Sequence, residues 1–229
     1  MTTPPLESAW AKLLFDARLA PSDGRTQAEE AERVVTEYVE ALQGDTGNLS
    51  GPLVVPDTDL GRIDRIVSGL GVGPLEVCVV STTGAGGLVA LADRSYENLT
   101  VVAAHSVLRD LDDPAGNAQR VAAAARGLGD EVTVYTGLPD APGWESAAET
   151  VEMEGLAAAV SAPGALGVTQ MSFLVELDCP FVVSDTTAAP VDVAATVLAL
   201  VEQTAPVPGW PGADEAPRVR RRLHGIWTV

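Results

Sequence analysis

Short runs rich in valine, leucine and alanine alternate along this chain with longer stretches of helical character, and that alternation predicts repeated βα units. Strands are predicted at Leu13–Asp16, Pro52–Val55, Leu75–Ser81, Leu99–His105, Glu131–Thr136, Leu156–Ser161 and Phe181–Ser184, with Leu223–Val229 as an eighth candidate. The runs are apolar at successive positions. A strand with one wet face would alternate, so both faces are covered, as in parallel strands roofed by helices.

The intervening helices carry boundary signals. Arg25–Leu42 is acidic at its start, with Glu29, Glu30 and Glu32 suiting the helix dipole, and Gly44 follows its end. Asp57–Leu70 opens on Asp57 or Asp59 as a cap and stops before Gly71. Asp112 or Asp113 precedes Pro114, which opens a helix running to Arg126, and Pro190 precedes a helix over Val191–Gln203. The fold expected is α/β: a compact parallel (β/α)8 TIM-barrel-like domain over residues 1–229, closed by the arginine-rich segment 218–229. An open doubly wound sheet is the alternative, because eight βα units ordinarily take about 250 residues.

Composition agrees with a globular chain and narrows its partners. The 229 residues include 32 acids and 14 bases, a net charge of −18. Nucleic acid and anionic membranes call for a basic surface, so neither is expected as a partner. Four arginines, at 218, 220, 221 and 222, lie in the last twelve positions, which hold no acid, so the body carries −22 and the tail +4. Such a tail either recruits an anion or pairs with the protein's own carboxylates, and pairing is preferred. The first residues show no basic start followed by an apolar core, and no apolar run reaches the roughly 18 residues of a membrane span. A cytoplasmic protein is expected. Cys78 and Cys179 lie far apart in apolar contexts and read as reduced core thiols. Oligomeric state is left open.

Functional groups on such folds gather at the carboxyl ends of the strands. Histidine is scarce, and His105 falls at a predicted strand end, where a neutral imidazole suits a general base near pH 7. Asp16 and Asp185 are its candidate acid–base partners; Asp57 is read instead as a helix cap. Ser81, Thr82, Gly86, Gly87, Tyr135 and Ser184 complete the candidate ligand-binding rim. The Gly84–Gly87 run could present backbone amides to a phosphate, but it lacks the dinucleotide and P-loop spacings and reads better as a βα turn. No metal site is expected, since the two histidines and two cysteines show no ligand spacing. Cofactor use is left open, although Lys12, the sole lysine, precedes the first strand, which disfavours Schiff-base and pyridoxal phosphate chemistry. No Gly-x-Ser-x-Gly elbow is present.

Leu14-Phe-Asp-Ala-Arg-Leu-Ala-Pro21, a charged helix, then Gly51-Pro-Leu-Val-Val-Pro-Asp57 resembles the start of an uncharacterised family of barrel-like proteins from high-GC actinobacteria. Cys179-Pro-Phe-Val-Val-Ser184 and the Arg218–Trp227 segment resemble its late strands. The resemblance implies a barrel and no assigned activity. Where that family carries a lysine and then two histidines, this chain has Val182 and Ala188-Ala189, which implies lost chemistry. Two functions are therefore expected to compete. One is a small-molecule-binding or degenerate, non-catalytic relative of a barrel enzyme, with small residues at the rim and an apolar patch involving Trp10, Trp144 or Trp210. The other is a lyase, isomerase or hydrolase using His105 with a rim carboxylate.

Overall fold

Strands whose side chains are buried on both faces must be covered from both sides, and a closed barrel does this with one lumen and one outer shell of helices. The computed structural model describes residues 10–20, 28–44, 48–161 and 165–229. The expected helix start at Arg25 and the N-terminal segment before Trp10 lie outside the described residues. In chain order the elements are β1 (Leu14–Asp16), α1 (Ala28–Gln43), β2 (Ser50–Pro56), α2 (Leu60–Leu70), β3 (Leu75–Ser81), α3 (Ala85–Ala92), β4 (Leu99–Val107) and α4 (Pro114–Ala125). They continue as β5 (Thr133–Gly137), α5 (Trp144–Met153), β6 (Ala157–Ser161), α6 (Ala165–Glu176), β7 (Phe181–Asp185), α7 (Pro190–Glu202), α8 (Ala216–Arg220) and β8 (Leu223–Thr228).

All eight strands run parallel, each beside its sequence neighbour, and β8 pairs with both β7 and β1, so the chain forms a (β/α)8 TIM barrel. The pairing of Leu14 with Ile226 and Phe15 with Trp227 replaces the open-sheet alternative. Trimmed connections let this length suffice. Among the described residues one helix follows each of β1 to β7, and the short α8 leads into β8. The caps work as their residue types dictate: Asp113 accepts from the Gly116 amide at 2.9 Å with Pro114 opening α4, and Gly71 ends α2 in the left-handed region. The glycine-led run straddles the βα turn and the helix: Gly84 closes the turn after β3 at φ +68° as the N-cap, and Ala85, Gly86 and Gly87 form the first turn of α3.

Between strands and helices lies the main core, with Leu53, Val79, Ala104 and Phe181 packed outward beside Val34, Ile63, Leu88 and Val121. The lumen holds a second cluster in which Ala103, Ala157 and Ala159 leave space for Phe15, Tyr135 and Trp227. Phe15 meets Tyr135 at a centroid distance of 6.2 Å, and His105 meets Trp227 at 5.1 Å, both edge to face. β1 and β5 are four strands apart in the eight-membered ring, as are β4 and β8, so the two pairs bridge opposite walls. Glycine makes the Phe15 position possible: a Cβ at Gly51 or at Gly225 would fall 2.8 Å from Phe15 Cδ1.

Four register shifts each leave one strand with an extra residue. Between Ser50 and Leu53 β2 gains one against β1; Val102 is extra in β4 against β3, Ser184 in β7 against β6, and His224 in β8 against β7. Such bulges re-aim side chains and bend the strand.

The arginine-rich tail behaves as pairing predicts. Arg218 binds Glu202 at 2.7 Å, while Arg221 and Arg222 both bind Asp178. The tryptophans proposed for an exposed patch are packed inward: Trp10 is buried against half-buried Trp210, and Trp144 is buried against Phe173.

Candidate functional site

His105 belongs to the lumen rather than the rim. β4 runs two residues past the predicted end, and the alternation that turns Ala103 inward turns His105 inward as well. Its side chain is 5% exposed. Nδ1 has no hydrogen-bond partner, and burial lowers its pKa from 6.5 to about 4, because the imidazolium would lose its hydration without gaining a carboxylate. The ring is neutral at pH 7 and a weak base. Trp227, 9% exposed, also leaves its indole Nε1 without an acceptor.

The carboxylates expected beside His105 are engaged elsewhere. Arg18 grips Asp16 through Nε at 3.0 Å and Nη2 at 2.7 Å, and its other arm binds Glu37 on α1. Asp185 is exposed at the end of β7 and accepts a long hydrogen bond, 3.4 Å, from Ser161. Ser184, on its bulge, donates to the Val160 carbonyl at 3.4 Å. The structure therefore brings Ser161, Ser184 and Asp185 together at the ends of β6 and β7 but does not join Asp16 to them or to His105.

A second group forms after β2 and β3. Asp57 does not cap its own helix; Asp59 holds that position and pairs with Arg62. Asp57 reaches across to the next loop, accepting from the Thr82 amide at 3.2 Å and its hydroxyl at 2.7 Å. Ser81 donates to the Gly84 carbonyl at 2.6 Å. A Cβ on Gly87 would overlap Ser81 Oγ and fall 2.7 Å from Asp57 Oδ2, so glycine is required for the carboxylate to sit against the first turn of α3. The negative charge of Asp57, close to the first turn of α3, suits the positive end of that helix. Gly86 is exposed on the same turn, and Asp57, Thr82, Thr83, Gly87 and Arg94 line a cavity of about 210 Å³.

Tyr135 leaves the C-terminal group altogether. Its side chain crosses toward the N-terminal mouth, where the hydroxyl lies 3.4 Å from His224 Nδ1. Burial raises its pKa, so it stays a protonated phenol. Sequence periodicity did not mark this end of the barrel, because His224 and Arg220 face it only through a bulge and the α8 turn.

Both cysteines are free and buried. Among the described residues no cluster of three or more histidine, cysteine or acidic side chains is placed to hold a metal ion, and no helix is long and apolar enough to cross a membrane. No protein-family model matches the chain, and comparison with curated proteins finds no match.

Proposed function

We propose that this barrel is a cytoplasmic small-molecule-binding protein, a degenerate and non-catalytic relative of a barrel enzyme, and a member of the actinobacterial family it resembles. Support comes first from the His105–Trp227 pair in the lumen: two ring nitrogens on side chains more than nine-tenths buried, neither with a protein partner. A buried indole N–H without an acceptor costs about 1–3 kcal/mol, which a ligand oxygen would recover. The acid–base inventory argues against turnover. His105, with a pKa of about 4, is too weak a base for work at neutral pH, Asp16 is neutralised by Arg18, and Asp57 is committed to the Thr82 loop. Two free, buried thiols suit a reducing compartment.

Thermal-shift screening against a metabolite library tests this directly. A ligand raises stability as ln(1 + [L]/Kd) whether or not it is turned over. The expected result is a hit whose shift falls in Trp227→Phe, which removes the N–H while keeping an aromatic ring. A library with no hit, or a hit that is converted to product, overturns the proposal.

A further inference from the structure

We infer that the N-terminal mouth of the barrel, opposite the end where such folds usually carry their chemistry, is a binding site for a small organic carboxylate. A cavity of about 230 Å³ opens there between the strand starts and α8. Three bulges shape it: Pro52, Val102 and His224 all line it, and all lie at the register shifts of β2, β4 and β8. Regular strands would have given these positions other neighbours and other directions.

Charge selects the ligand. Lys12 and Glu76 face each other across the cavity edge at 2.6 and 2.7 Å and cancel. Arg220 does not share the fate of the other three tail arginines. Its guanidinium donates to the carbonyls of Leu223, His224 and Ala11, at 2.8, 2.7 and 3.3 Å, and no carboxylate is paired with it among the described residues. Carbonyls take three of its five N–H groups without neutralising its charge. Among the described residues the half-buried cavity therefore carries +1 in a protein of −18, and a half-buried cation with no counter-ion among them favours a monoanion. His224 is held neutral by burial and by Arg220, and the Tyr135 phenol keeps its proton, so both remain hydrogen-bonding groups rather than charges.

The remaining lining is apolar. Phe15 and Tyr135 present ring surface, and Pro52 and Val102 close the sides. A volume of about 230 Å³ exceeds the roughly 150 Å³ that admits benzene and lies below the roughly 300 Å³ of drug-sized pockets, so the organic body is one ring or a short branched chain. A phosphate dianion would overcompensate the single charge beside Glu76.

Titration of the full chain with benzoate, benzamide, benzylammonium and inorganic phosphate tests the site. Benzoate is expected to bind saturably and raise Tm, benzamide to bind about tenfold more weakly, and the other two not to bind. Lys12→Met should weaken benzoate about tenfold and Glu76→Gln should strengthen it, opposite signs that loss of folding cannot mimic; both residues lie toward solvent, whereas Arg220→Gln also removes three carbonyl contacts. Absence of saturable benzoate binding at millimolar concentrations, equal binding of benzamide, or indifference to both Lys12→Met and Glu76→Gln overturns the inference.

Discussion

His105 and Trp227 meet edge to face across the lumen, ring centroids 5.1 Å apart, and each keeps a buried nitrogen without a partner. The pair joins β4 to β8 on the opposite wall, and its chemistry sets a pH dependence. His105 titrates near 6.5 in the unfolded chain and near 4 in the barrel. The folded state refuses a proton that the unfolded state accepts, so the stability contribution is whole above about pH 6.5 and falls as pH drops toward 4. Denaturation at pH 7.5 and 4.5 should show a loss roughly 2–3 kcal/mol larger in the wild type than in His105→Phe, which keeps a ring and cannot titrate. Equal losses in the two proteins would contradict the burial of an unpaired imidazole.

Phe15 occupies volume that Gly225 and Gly51 leave open. Gly225→Ala should destabilise the barrel by about 1–3 kcal/mol through overpacking. In a Phe15→Leu background the same change should cost less, giving a coupling energy of about 1 kcal/mol or more in a double-mutant cycle. Additive effects would mean that the glycine serves some other purpose.

Asp16 acts as a clamp for Arg18, tying the end of β1 to α1 through Glu37. Asp16→Asn keeps the shape and removes the charge; a loss of about 1–3 kcal/mol by urea denaturation is expected, since charge-assisted hydrogen bonds contribute on that scale. Ligands found by thermal shift should bind the variant as they bind the wild type. A selective loss of ligand binding at unchanged stability would return Asp16 to the binding site.

Cys78 and Cys179 are fully buried, and burial pushes both thiols up to about 12. At pH 8 neither should react with a thiol-specific disulfide reagent while the protein is folded, and both should react in denaturant. Rapid reaction of either in the native protein would show that β3, around Cys78, or the connection before β7, around Cys179, opens readily.

The alternation of runs that predicted eight strands is a backbone property, and β3 is observed over the predicted Leu75–Ser81. What the same pattern could not place was the end of β4. Two further residues of pairing, through Ser106 and Val107, move His105 from the rim into the lumen. Tyr135 shows a related limit: its place near a predicted strand end assigns it to the carboxyl rim, but its side chain carries the hydroxyl to the other mouth, beside His224. Asp57 looked like a cap because capping is read from adjacent residues, while its partner, Thr82, is 25 positions away in the chain and next to it only in the fold. The bulges at Val102 and His224 leave no mark in local composition, so the cavity they form was not legible.

Two cross-lumen ring pairs, Phe15–Tyr135 and His105–Trp227, stand between the mouths of the barrel. The N-terminal cavity is floored by one of these pairs, Phe15 and Tyr135, which also belong to the ring cluster that fills the lumen with Trp227. A substitution that moves Phe15 or Tyr135 therefore changes the cavity floor and the lumen packing together.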